Sequence, residues 1–231
     1  MSRPALQPLD DFSGSLSQKV HASLKKAILT LVYRPGELMQ KPEICAQLGV
    51  SRSPVSEAMT RLAGEGLVEI IPQAGTYVTR FSMAEIREGA FLREALELAA
   101  VESVAATITD EQLLLLKRNI RIQEALMEDG DTAGFHQLDA QMHELILSFT
   151  GYRRLAALAE TSWVHVNRAR HLNLPMPGRM QTTLAEHKAI VSALEARDPQ
   201  AAREATRHHL GQLIRSLGPL IIERPELFSS S

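Results

Sequence analysis

Asp139 and His143 stand four residues apart in a stretch of helical periodicity, so their side chains share one face. A carboxylate and an imidazole at that spacing can grip one metal ion. His187 lies eleven residues before Asp198, and His209 eleven after it. Asp198-Pro199 breaks the two helical stretches that carry them. In an antiparallel hairpin, residues equidistant from the turn sit at one height, so both imidazoles can point into a bundle together. One oxygen and three nitrogen donors suit zinc, nickel, manganese or iron, with coordination positions left open. His136, seven residues before His143, is a rival ligand, and His208 replaces His209 if the hairpin rotates. His165 and His171 have no partner at a useful spacing and read as polar-surface or pocket-rim residues.

Arg93 has Ile86, Ala90, Leu96 and Ala100 three and seven residues to either side. That places a guanidinium on the core face of a helix, where a charge needs a partner. The carboxylate of a small ligand is one answer. An internal ion pair with Glu97, one turn on, is the other. Asn167, Arg170 and Arg179 can line the same pocket. The stripe Leu113, Leu116, Ile120 reads as plain core.

A second chemistry lies near the start of the chain. Ser51, Arg52, Ser53 and Ser56 open a helix that follows a short helix and a Gly49-Val50 turn. In a helix-turn-helix, the second helix enters the major groove with its N-terminal residues at the base edges. Arg52 can donate two hydrogen bonds to guanine. The serines can meet bases or phosphate, and the helix N-terminus favours an anion. Lys41 can meet a phosphate, and Thr76 and Tyr77 can reach the flanking backbone or minor groove.

The elements that would position these residues follow from periodicity. Val20, Leu24, Ile28 and Leu31 mark a helix from Ser15 to about Leu31. Arg34-Pro35-Gly36 ends that region. A short helix is expected over about Lys41–Leu48, and a third from Ser51 or Ser53, either a good N-cap, to a stop at Gly66. Val68–Ile71 and Thr76–Thr79 around Pro72-Gln73-Ala74-Gly75 read as a hairpin. This order is a winged helix-turn-helix. Beyond Met83 the pattern has no convincing strand. Helical stretches are expected over about 83–108, 110–128, 132–149, 152–171, 179–197 and 199–216. The fold class is therefore mainly α: an N-terminal winged helix-turn-helix and a C-terminal antiparallel bundle of about six helices. The boundaries expected are a mobile arm over 1–14, the DNA-reading domain over 15–81, the helical domain over 82–223 and a tail over 224–231.

Composition agrees. With 231 residues, 45% of them apolar, the chain can build a core. No apolar run reaches the ~18 residues of a membrane helix. One cysteine, Cys45, excludes an intrachain disulfide and fits a reducing cytoplasm. The N-terminus lacks the apolar stretch of a secretory signal. Net charge is −2, but residues 1–82 carry nine Lys/Arg against seven Asp/Glu, and the rest sixteen against twenty. Seven of the eight histidines fall in that second part.

The stretch Leu31–Val78 resembles the N-terminal domain of the GntR family of bacterial transcription regulators. Pro35-Gly36, Leu48-Gly49-Val50-Ser51-Arg52-Ser53-Pro54-Val55, Glu57-Ala58, Arg61-Leu62, Glu65-Gly66-Leu67-Val68, Pro72 and Gly75 carry the likeness. The resemblance implies a dimeric winged helix on a palindromic operator in the bacterial cytoplasm, at the nucleoid. Ser56 and Ala74 stand where the family commonly has arginine, which weakens phosphate contact and its salt dependence. The second half resembles the all-helical effector domain of the fatty-acid-regulator (FadR, or FCD) branch. Its Asp-x-x-x-His element matches Asp139 and His143, with Met142 where phenylalanine is usual. Its closing pattern matches Glu186-His187-x-x-Ile190-x-x-Ala193-Leu194, Asp198, Ala201-Ala202 and His209-Leu210. This likeness implies a divalent ion, zinc first and nickel or manganese next, held by Asp139, His143, His187 and His209. It implies a small organic-acid effector that Arg93, Asn167 and Arg170 help to bind, and it favours the ligand as the partner of Arg93. The expectation is a regulator, a repressor rather than an activator, and not an enzyme. The alternatives are a metal-dependent hydrolase, or a DNA binder with a metal-free dimerisation bundle.

Overall fold

The computed structural model describes residues 5–155, 158 and 163–229. Its contacts divide into two compact units: Met1–Met83 with Glu223–Ser231, and Ala84–Ile222.

In the first unit, α1 (Leu16–Leu29) starts at a capping box, in which Ser15 Oγ accepts from Gln18 N–H and Gln18 Oε1 accepts from Ser15 N–H. Its apolar stripe of Val20, Leu24, Ala27 and Ile28 is buried and packs chiefly on α3. Helix α2 (Lys41–Leu48) tolerates Pro42 in its first turn and ends at Gly49, which is left-handed at φ 65°. Helix α3 (Arg52–Gly64) buries Val55, Ala58, Met59 and Leu62. Strands β1 (Val68–Ile71) and β2 (Gly75–Val78) form an antiparallel hairpin in the register Val68↔Val78 to Ile71↔Gly75. Gly75 has φ 136°, and a Cβ there would stand 2.6 Å from Leu38 Cδ1, so a side chain would unseat the wing from Leu38.

Two sequence expectations are corrected at the ends of this unit. The described part of the arm is packed: Leu6 is buried, a 3₁₀ turn covers Leu9–Asp11, and Ser23 Oγ donates to Gln7 carbonyl. The tail is also structured, with a 3₁₀ turn at Pro225–Leu227. Phe81 N–H donates to Leu227 carbonyl and Ser229 N–H to Phe81 carbonyl, both at 2.9 Å, while the rings of Phe81 and Phe228 pack at a tilt of 42°, their centroids 5.7 Å apart. The first unit thus takes in the end of the chain, because Leu227 and Phe228 gain burial there. Residues 1–4 and 230–231 of these two segments lie outside the described residues.

The second unit is helical. Helices α4 (Met83–Thr107), α5 (Asp110–Glu128), α6 (Thr132–Phe149), α7 (Val164–Asn173), α8 (Arg179–Glu195) and α9 (Pro199–Glu223) follow in order. Thr109 and Gln112 form a second capping box at α5, and Asp131 caps α6 through Gly134 N–H. In place of the expected helix over 152–171, the described residues 153–155 and 158 are helical and a separate α7 follows. Trp163, with φ −106° and ψ 10°, leaves α geometry and starts α7 afresh. Residues 156–157 and 159–162 of that expectation lie outside the described residues. The core runs through Val101, Val104, Leu116, Ile120, Phe135, Met142, Ile146, Leu184, Ile190 and Leu194. Met142 is fully buried there and fills an aromatic-sized volume with a flexible thioether. Asp198 turns the chain between α8 and α9, its carboxylate accepting from Ala201 N–H. Among the described residues, no helix is long and apolar enough to cross a membrane.

Candidate functional site

Helix α6 presents Asp139 and His143 one turn apart on its buried face; α8 presents His187 and α9 His209. Their ligand atoms all lie within 4.8 Å of one another. His187 Nε2 is 3.0 Å and His143 Nε2 3.5 Å from Asp139 Oδ1. His209 Nε2 is 3.4 Å from His187 Nε2 and 3.2 Å from His143 Nε2. Two donors each ~2.1 Å from one ion stand ~3.0 Å apart at a right angle and ~3.4 Å apart at a tetrahedral one. The spacing is therefore that of donors arranged about a single cation.

The far sides of the rings decide which nitrogen faces inward. His143 Nδ1 is 2.6 Å from Glu97 Oε2, His187 Nδ1 2.8 Å from Gln123 Oε1, and His209 Nδ1 2.8 Å from Glu186 Oε2. Each partner is an acceptor, since Gln123 turns its amide nitrogen to Asn119 Oδ1. Each Nδ1 must then carry the proton and donate it, which leaves a lone pair on every Nε2. Burial pulls all three imidazoles below their ordinary range, Glu97 opposing it at His143. They are neutral at pH 7, as metal ligands must be. Three lone pairs and a carboxylate oxygen that accepts no hydrogen bond among the described residues face one another in a dry core. That arrangement is unfavourable by itself and favourable around a divalent cation, so the donor set fits one.

Arg93 forms the internal ion pair, the second of its two alternatives: its Nε donates to Glu97 Oε1 at 2.6 Å, both groups almost fully buried. Burial pushes the Glu97 carboxyl up, but Arg93 and His143 outweigh it and hold it at about 2. Arg93 also borders a small pocket with Asp139, Arg170, Asn173, Arg179, Thr183 and His209, and its Nη2 has no partner among the described residues. Arg170 lays its guanidinium on Asp139 Oδ2. Asn167 is not among the residues bordering this pocket; its Oδ1 accepts from Arg170 Nη1 at 3.3 Å. Its place in the sequence expectation shifts from lining the pocket to holding Arg170.

His208 is exposed and bonds Gln212, so the hairpin rotation is settled for His209. His136 stays out of the cluster and stacks on His171 at 3.7 Å, which gives His171 the partner that spacing did not reveal. His165 lies 3.6 Å from Glu85. Sequence reasoning missed Gln123, Glu186, Asn173 and Thr183, and saw Glu97 only as a partner for Arg93. Gln123 continues the Leu116–Ile120 stripe, and a polar residue on a core stripe is a signal for a buried partner. Nothing in the spacing joins Glu186 to His209.

On the first unit, Ser51, Arg52 and Ser53 are exposed and Ser56 is half-buried. Ser51 occupies the N-cap position of α3 without the capping hydrogen bond expected of it. Lys41 is half-buried at the start of α2. Tyr77 is half-buried, its hydroxyl donating to Ala74 carbonyl. Thr76 is corrected: it is buried, because alternation along β2 turns its side chain inward, and it is not offered to DNA.

Comparison with known proteins places these features. Residues 16–78 match the gntR family of bacterial regulatory proteins, and residues 88–212 match the FCD domain. The HTH-type transcriptional repressor RspR of Escherichia coli is 31% identical over 214 residues, spanning 93% of this chain and 94% of that one. The fold matches Escherichia coli McbR/YncC with a TM-score of 0.77 at 23% identity, over 90% of this chain and 99% of that one. It also matches a putative GntR transcriptional regulator from Rhodococcus sp. RHA1 with a TM-score of 0.75 at 23% identity, over 91% and 99%.

Proposed function

This chain belongs to the GntR family, in its FCD-domain branch, and is a DNA-binding transcription regulator rather than an enzyme; from that premise we propose that it is a repressor whose hold on its operator is set by a small organic acid bound at a divalent-metal site in the helical unit. The observation that carries the reading is the convergence of Asp139 Oδ1 and three imidazole Nε2 atoms, each ring held from behind by an acceptor. Asp139, His143, His187 and His209 hold the ion, zinc first and nickel or manganese next. An ion held there would supply Lewis acidity toward the carboxylate of a small acid. Arg93 and Arg170 orient that carboxylate, and Asn167 holds Arg170. On the DNA side, Arg52 reads a guanine edge, and Ser51, Ser53, Ser56, Lys41 and Tyr77 meet the backbone. The protein works as a homodimer on a palindromic operator in the cytoplasm. The domains divide near residues 81–83, and the tail belongs with the DNA-reading unit. Coupling between acid and operator is of the order of ~1–3 kcal/mol and is reciprocal.

The test is metal analysis of purified protein beside the double variant His143→Ala, His187→Ala. Operator binding of a duplex selected from random sequence is then measured with and without metal. Metal in the wild type alone supports the reading. Equal metal in both removes the site and leaves a DNA binder with a metal-free bundle.

A further inference from the structure

The pocket beside the four ligands carries a charge balance and a set of unmet hydrogen bonds that together specify a ligand. Three guanidiniums border it, and each already has a carboxylate. Arg93 pairs with Glu97, Arg170 with Asp139, and Arg179 with Glu186 at 3.0 Å. Each imidazole donates its Nδ1–H to an acceptor and keeps a lone pair on Nε2, so the three rings carry no charge. These side chains sum to zero, so a divalent ion brings two positive charges that nothing around the pocket cancels. A buried site of that kind calls for a dianion.

The unmet groups add the rest. Arg93 Nη2 and Arg179 Nε are buried donors without a partner among the described residues, and both suit anionic oxygens. Asn173 Oδ1 is a buried acceptor in the same state, on a residue 4% exposed. In the orientation the structure gives it, this amide turns its oxygen inward, where it takes an O–H or N–H from the ligand rather than a carboxylate. Thr183 Oγ1, on a residue 2% exposed, is likewise unmet and can donate or accept. An ammonium on the ligand would satisfy Asn173 but would lower the ligand's charge below the two that the balance requires. A hydroxyl satisfies it at no cost in charge. The free space, about 20 Å³, is water-sized, so a small acid enters only as the side chains that border the pocket move apart.

We infer that the effector is a small hydroxylated dicarboxylate, with Arg179 taking the second carboxylate and Asn173 and Thr183 selecting the hydroxyl. This rests on the metal-site reading above and names the ligand class and the selecting residues that the reading leaves open.

The experiment is calorimetric titration of zinc-loaded protein with a matched series: malate, tartrate, succinate, aspartate and lactate. Malate or tartrate binds ~10-fold or more tighter than succinate, which leaves Asn173 and Thr183 unmet. It exceeds aspartate and lactate, which bring one net charge, by a similar factor. Thr183→Val, a near-isosteric change, draws the malate-to-succinate ratio toward one. Arg179→Gln draws the malate-to-lactate ratio toward one. If Arg179→Gln fails to fold, the wild-type series and Thr183→Val still decide. Equal affinity for succinate and malate, tighter binding of lactate or aspartate, or an unaltered ratio in Thr183→Val overturns the inference while the metal reading stands. Failure of zinc to bind, or of every acid to bind zinc-loaded protein, overturns that reading and the inference with it.

Discussion

Glu97→Gln tests the metal site through a residue that touches no metal. The native carboxylate spans two buried donors, Arg93 Nε and His143 Nδ1, each at 2.6 Å. Glutamine keeps one acceptor. If its oxygen stays with Arg93, its amide group faces His143 Nδ1 as a donor. Nδ1 must then be the lone pair, and the proton moves to Nε2, into the cluster 3.2 Å from His209 Nε2. Metal binding then requires turning the amide or losing that hydrogen bond. Changes of this kind behind a ligating histidine cost ~10–100-fold in metal affinity, or ~1.4–2.7 kcal/mol. The same change leaves the Arg93 charge without its carboxylate in the core. Breaking a buried pair costs about 3 kcal/mol, which at ~2–4 °C per kcal/mol for a chain of this length is ~6–12 °C in Tm. The two effects separate experimentally: scanning calorimetry in chelator reads the ion pair, and zinc competition against a fluorescent chelator reads the site. His208→Ala, an exposed imidazole outside the cluster, is the control and changes neither. Wild-type zinc affinity in Glu97→Gln would refute the assignment of Nε2 as the metal-facing atom of His143.

Other outcomes follow from the same geometry. Arg52→Ala is expected to lose ~5–100-fold of discrimination at one guanine of the operator at fixed salt; unchanged discrimination in a base-substitution series refutes its base-reading role. Burial, with Arg170 and His171 adding to it, lowers His136 to about 2, and burial with Arg170 lowers His171 to about 4. Both are neutral when folded and take a proton near 6.5 when unfolded, so stability is whole above pH 6.5 and falls as pH drops toward 4, by ~1–2 kcal/mol each at pH 5. Denaturant melts of His171→Phe should show a shallower fall than wild type; an identical slope refutes the buried-neutral assignment. Phe228→Ala removes a buried ring from the first unit and should cost about 3 kcal/mol in calorimetry, whereas an unchanged Tm would mean that the tail is not part of that unit's core.

Much of this protein is local in origin, and local physics is written along the chain. The stripe Val20–Leu24–Ile28, the left-handed Gly49 and the hairpin about Pro72–Gly75 specify the winged unit, because each element's period and each turn's φ depend on near neighbours. Asp139 and His143 were legible for the same reason, a helix turn apart. His187 and His209 were legible because a hairpin maps equal distances from its turn onto equal heights. The rotation about each helix axis that chose His209 over His208, and left His136 to stack on His171, depends on how α9 and α6 pack, and no spacing encodes it. The acceptors Glu97, Gln123 and Glu186 meet their imidazoles across 46, 64 and 23 residues of chain. Types and spacings thus determined which donors the protein owns and which elements carry them. Tertiary packing alone decided which lone pairs face inward, because a ring's proton goes to whichever nitrogen meets an acceptor, and that acceptor arrives from another helix.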